Sequence, residues 1–140
     1  MSDNAGVEPG WVASLELAFD MKVVHTAWVS SSTVIAPATS MDIEPVVGGH
    51  YRLIMDTPEF SGKNEGEFSL VEPQQRVVYT WEWNGDGEVT EIDVRFEATA
   101  AGTKILIHHT GFMFDESATN HDHGWDGYMV GFEHFLGANA

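Results

Sequence analysis

The 140-residue chain contains no cysteine. Disulfide staples, thiolate zinc sites and thiol nucleophiles are excluded, and the absence favours the cytoplasm as the expected compartment. Positive charge is scarce: six Lys and Arg stand against 22 Asp and Glu, a formal charge of −16. A field of that sign repels phosphate backbones and anionic lipid surfaces, so neither nucleic acid nor a membrane is an expected partner. The acids are spread along the chain, as on a solvated surface. No apolar run approaches the roughly 18 to 20 residues a membrane helix needs. The opening "MSDNAGVEPG" lacks the basic start and apolar stretch of a secretory signal and reads as a loose tail over residues 1–10. No repeat, low-complexity segment or linker interrupts the remainder, so residues 11–140 read as one domain, long enough to bury a core unaided.

What is present is mostly two-residue periodicity. In "WVASLELAF", Ala13, Leu15, Leu17 and Phe19 share one face, as in a half-buried strand. Asp20 offers a helix N-cap, and "MKVVHTAWVSSS" places Val23, Val24, Ala27 and Trp28 at helical spacing. The serines and Pro37 end that helix early, and a second short one is expected near Thr33 to Ala36. From Met41 to Phe112 the text is strand and turn. "MDIEP" is a short strand, and "GGHYRLIMD" aligns Tyr51, Leu53 and Met55. "SGKNEG" reads as a Gly/Asn turn. "EGEFSLVEP" groups Phe68 with Leu70, and "RVVYTWEW" groups Val77, Tyr79, Trp81 and Trp83. "NGDG" at Asn84 to Gly87 is a hairpin signal. "EVTEIDVRFEATA" turns Ile92, Val94 and Phe96 inward and Glu91, Asp93 and Arg95 outward. In "GTKILIHHTGF", Ile105 and Ile107 share a face with His109, while Lys104 and Leu106 share one with His108. Because Lys104 prefers water, His109 should point inward and His108 outward.

Consecutive hairpins of this kind make a meandering antiparallel sheet whose apolar face needs a cover. "HDHGWDGYMVGFEHFLG" supplies it, with Trp125, Tyr128, Met129, Phe132 and Phe135 at steps of three and four. This helix should run from about His121 to Leu136, capped by Asn120 or Asp122 and ended by Gly137. The layout is α+β, a twisted antiparallel sheet curled around one C-terminal helix.

Taken in order, "GGHYRLIM", "NEGEFSLVEPQQRVVYTWEW", "GTKILIHHTGF" and the late Gly124–Trp125 pair resemble the START-like (SRPBCC) superfamily, in its branch named for homology to the activator of heat-shock protein 90 ATPase. The resemblance covers roughly Leu15 to Leu136. It implies a helix-grip fold of about seven strands around a long C-terminal helix, with two short helices after the first strand and a cavity between sheet and helix. Members of the superfamily bind lipids, sterols, polyketides or plant hormones, and a few catalyse cyclisation or hydration. The sequence departs from the branch at His25, where a hydrophobic or aromatic residue is usual, and at "VIAPATSMD", which replaces a Trp-rich segment.

The expected function is the binding of an apolar or amphipathic small molecule in that cavity, by Tyr51, Tyr79, Trp81, Trp83, His109, Trp125, Tyr128, Met129 and Phe132. Rigid aromatics with polar tips suit a mostly apolar pocket with a few hydrogen-bonding groups, although the same residues could simply form a core. An interior His109 must satisfy both ring nitrogens, through a protein neighbour or a ligand oxygen. Two rival readings remain open. One is a cyclase- or hydratase-type enzyme with His109 and Tyr79 as acid/base groups. The other is an interaction module acting on a chaperone or other protein. No Gly-x-Ser-x-Gly elbow and no inward carboxylate pair appears, so no catalytic residue is assigned. His121, Asp122, His123 and Asp126 are ligand types for a divalent metal, but an i, i+2 pair diverges on a helix, so neither a metal nor a cofactor is expected. Edge strands leave a homodimer open, one that salt would strengthen by screening like charge.

Overall fold

The structure, a computed structural model, describes residues 10–35, 38–58, 61–111 and 115–138, with side chains over the same ranges except residues 10–12 and 115–124. The elements run β1 (Gly10–Leu17), α1 (Met21–Trp28), β2 (Ser40–Ile43), β3 (His50–Asp56), β4 (Ser61–Glu72), β5 (Arg76–Trp83), β6 (Thr90–Ala98), β7 (Thr103–Thr110) and α2 (Asp115–Ala138). The seven strands form one sheet in the order β1-β7-β6-β5-β4-β3-β2, and every neighbouring pair is antiparallel. It is the expected helix-grip arrangement of curled sheet and C-terminal helix.

The alternating text of β6 and β7 folds as its periodicity dictates. Ile92, Val94, Phe96, Ile105, Ile107 and His109 are buried, whereas Glu91, Arg95 and His108 are exposed. Val94 faces Ile107 and Phe96 faces Ile105 across the pair, so each row of the core is built from two strands at once. The β5–β6 connection begins with a type I′ turn. Asn84 and Gly85 both have positive φ (49° and 66°), and the Asp86 N–H closes it onto the Trp83 carbonyl at 2.9 Å, the geometry that matches strand twist.

β4 departs from the sequence reading in two ways. "SGKNEG" is not a turn but the first half of this strand. Its glycines mark close approach. A Cβ on Gly66 would fall onto the Thr80 carbonyl oxygen, and one on Gly62 would enter the Trp83 indole; within a strand, glycine is often kept for this reason. Further along, the register slips between Phe68 and Leu70. Phe68 pairs with Tyr79 but Leu70 pairs with Val78, so the two do not share a face. Val71, paired with Val77, continues the inner row instead, as a one-residue bulge requires.

The helices also differ in detail. Asp20 stands at the N-cap of α1 and its carbonyl accepts from Val24, but its carboxylate makes no cap bond. Val24 and Trp28 are buried while Val23 is 48% exposed, so the apolar stripe is narrower than expected. No second helix forms over residues 31–35; a turn is found there, and Ala36 lies outside the described residues. Thr33 takes the packing role, fully buried with its hydroxyl donating to the Ala27 carbonyl at 2.6 Å. α2 starts six residues before His121. The added segment carries no apolar period that a sequence reading could detect. The inward stripe is Trp125, Met129, Phe132 and Leu136, flanked by Tyr128 and Phe135.

Candidate functional site: an aromatic interior

Three aromatic groups converge between sheet and helices. From the sheet, Tyr51 on β3 stacks on Tyr79 on β5 with centroids 4.3 Å apart, and Trp81 lies 5.7 Å from Tyr51. From α1, Trp28 stacks on Trp125 of α2 at 6.1 Å and meets Tyr128 and Phe132 edge-on at 5.7 and 5.0 Å. Of the nine expected ligand-site residues, Tyr51, Tyr79, Trp81, Trp125, Tyr128, Met129 and Phe132 belong to this one packed cluster, and His109 joins it through Trp125. Trp83, at the end of β5, lies against Gly62. Trp28 belongs to the cluster as well; the sequence placed it on a helix but not at the site.

His109 is fully buried. The Trp125 indole N–H, which can only donate, points at its Nδ1 from 3.0 Å. Nδ1 is therefore the acceptor and the proton sits on Nε2, which donates to the Thr90 hydroxyl at 2.6 Å. The Thr90 hydroxyl in turn donates to the Trp81 carbonyl at 3.1 Å. The ring is neutral, with one defined tautomer, and its partners lie on α2 and β6. Sequence reasoning foresaw the inward histidine but not Thr90 or Trp125 as its partners, because both are distant in sequence.

Other polar atoms of the interior are less well served. The Tyr79 and Tyr128 hydroxyls, the Trp28 and Trp81 indole N–H groups, and Asn64 Oδ1 are buried and find no hydrogen-bond partner among the described residues. The Tyr51 hydroxyl approaches those of Tyr79 and Tyr128, and the Trp28 indole approaches Tyr79. Even so, Tyr79, Tyr128 and Trp28 complete no bond of ordinary geometry. Burial, reinforced by the neighbouring phenols, pushes Tyr51, Tyr79 and Tyr128 above the usual phenol range, so all three are neutral O–H groups. Asn64 sits on β4 between Leu53 and Trp83, in the stretch the sequence read as a turn. On α1, His25 packs edge-on to Phe96 at 5.3 Å; burial lowers its pKa, and its Nε2 is also unpartnered.

Charge stays outside. Arg76 forks onto Asp93 at 2.7 and 3.1 Å. Arg95 reaches the same carboxylate at 3.5 Å, and Arg52 and Lys63 share Glu65 at 3.0 and 3.3 Å. Lys104 faces Glu16 and Glu97 from the outer side of β7. Lys22 borders an open depression of about 380 Å³ between α1 and Phe135, and two of its lining residues, Ala27 and Phe135, also pack against the edge of the core. Among the described residues no group of three or more His, Asp or Glu could hold a metal. The side chains of His121, Asp122 and His123 lie outside the described residues. No helix among the described residues is long and apolar enough to cross a membrane.

No curated protein matches the chain. Solved structures do, at identities that speak to fold alone. A protein from Rhodobacter sphaeroides is 17% identical with a TM-score of 0.82, covering 94% of each chain. The AHSA1-like protein from Aeromonas hydrophila is 18% identical with a TM-score of 0.80, covering 93% of each chain. The AHSA1 protein from Silicibacter pomeroyi is 20% identical with a TM-score of 0.78, over 94% of this chain and 99% of its own. The family description "Activator of Hsp90 ATPase homolog 1-like protein" matches residues 18–137. That match runs from just after β1 to the end of α2, and the chain therefore belongs to this family, a branch of the START-like fold.

Proposed function

We propose that this domain binds an amphipathic small molecule between the sheet and α2, with its polar end at Tyr51, Tyr79, Tyr128 and Trp28. The apolar body would lie along Trp81, Met129 and Phe132. The observation that carries the reading is the set of buried phenol and indole groups without partners. A buried polar group left unsatisfied costs about 1–3 kcal/mol, and several in one place are explained by something that enters and completes their bonds. Single orphans occur in ordinary cores; a group contributed by α1, β5 and α2 together is harder to account for by packing alone. His109 then has a supporting role, holding the Trp125 indole that stacks on Trp28. Using His109 as an acid or base with Tyr79 would require it to release Trp125 or Thr90.

Native mass spectrometry of protein purified without added ligand tests this. The expected result is a bound species of a few hundred daltons, diminished in the Tyr79→Phe and Trp28→Phe variants. Protein of bare mass that also fails to take up any apolar probe would sink the proposal.

A further inference from the structure

We propose, resting on the binding reading above, that the interior selects an uncharged ligand rich in hydrogen-bond acceptors, with ketone, quinone or ester oxygens, and rejects carboxylates and phosphates. The first argument is the balance of unpartnered atoms. Trp28 and Trp81 offer N–H groups that can only donate. Tyr79 and Tyr128 offer hydroxyls able to donate. Against these stands one obligate acceptor, Asn64 Oδ1. The two indoles call for at least two acceptor oxygens on the ligand, and the two hydroxyls, which can donate or accept, can serve further acceptors.

The second argument is the placing of charge. Arg52, Lys63, Arg76 and Arg95 are all committed to carboxylates on partly exposed side chains. Lys104 lies on the outer side of β7, and Lys22 is exposed on α1 at the rim of the open depression. An anion inside would be buried without a countercharge, in a protein of formal charge −16. The three phenols report the same environment from within: placing negative charge on any of their oxygens is disfavoured by burial first and by the neighbouring phenols second. A cation fares no better. His25 is biased towards neutrality by burial, and no described carboxylate joins the aromatic cluster. What remains is a neutral molecule, apolar along its body and acceptor-bearing at one end.

The test uses a matched fluorescent pair, cis-parinaric acid and its methyl ester, at pH 8, together with the neutral naphthyl ketone prodan. The ester is expected to bind at least tenfold more tightly than the acid. Prodan is expected to bind with an emission red-shifted by hydrogen bonding to its carbonyl, a shift reduced in Tyr79→Phe. Circular dichroism checks that this variant is folded, and Tyr128→Phe serves as a second reporter. If the acid binds as tightly as the ester, the selection for neutral ligands is wrong while the binding site stands. If prodan binds with emission indifferent to both tyrosine variants, the donor-rich end is wrong. If none of the three probes binds, both this inference and the binding reading fall.

Discussion

Replacing Trp125 with Phe removes one N–H from the interior and, because the ring is smaller, leaves a void beside His109 and Trp28. In the wild type that N–H donates to His109 Nδ1 at 3.0 Å, with His109 fully buried. The variant loses a net hydrogen bond of about 1 kcal/mol and leaves Nδ1 without its indole donor, a further cost of about 1–3 kcal/mol. The stacking on Trp28 survives in reduced form, and the expected total is about 2–4 kcal/mol. In urea this appears as a lower midpoint at unchanged slope. In a thermal scan it amounts to about 3 °C per kcal/mol for a chain of this length. The double variant Trp125→Phe/His109→Leu removes acceptor and donor together, while Thr90 can still donate to the Trp81 carbonyl. It should therefore be less destabilised than the sum of the singles, with a coupling of about 1–2 kcal/mol. His108→Leu, on the exposed face, should stay within about 0.5 kcal/mol of wild type. Additive singles, or a Trp125→Phe cost below about 0.5 kcal/mol, would refute the relay. Imidazole nitrogen NMR adds an independent check, since only the tautomer protonated at Nε2 fits the partners observed.

Three further outcomes are expected. Phe132→Asp buries an unpaired carboxylate at a fully buried position, a cost of several kcal/mol; circular dichroism should show an unfolded chain at 25 °C, and an unchanged melting temperature would mean α2 does not face the sheet as described. Gly66→Ala drives a Cβ into the Thr80 carbonyl and should cost about 1–3 kcal/mol by overpacking, a loss that a neutral result in chemical denaturation would contradict. Melting temperature should fall in acid in two stages. His25 has a lowered folded pKa because of burial, so its contribution is present above the unfolded value of about 6.5 and is lost as pH falls through the folded value. Burial raises the Asp93 carboxyl, but the Arg76 and Arg95 guanidiniums outweigh it and leave its pKa lowered. Its contribution is accordingly present above about pH 4 and lost below. His25→Phe should flatten the first stage only, and a melting temperature that rises between pH 7 and 5 would reverse the sign.

Where one face of a strand is dry and the other wet, the sequence carried the fold. β6, β7 and the inward row of β5 could be read residue by residue, and parity alone separated His109 from His108. The reading failed where the alternation is interrupted for steric reasons. Gly62 and Gly66 sit in β4 because a neighbouring indole and a carbonyl occupy the space of a side chain, and glycine there looks the same in the text as glycine in a turn. The bulge between Phe68 and Leu70 moves Leu70 to the other face without leaving any mark in composition. The aromatic members of the site were legible because bulk and period reveal them. Thr90 and Asn64 were not, since a small polar residue declares its role only once the fold has brought it against a partner from another strand.

The pairing of β1 with β7 has a consequence for how the chain is made. The first and last strands lie side by side from Gly10↔Thr110 to Leu17↔Thr103, and the Thr103 hydroxyl clasps the Phe19 carbonyl at 2.8 Å. On the ribosome, β1 emerges before the five strands that separate it in sequence from β7, so the apolar edge of Leu15 and Leu17 waits unpaired while those strands are made. Hairpins of the middle strands can close as they appear, but the sheet cannot be completed until β7 is free of the exit tunnel. Folding of the whole domain is then slow relative to its local hairpins, and the waiting first strand is the segment most open to capture by another chain or by a holding factor.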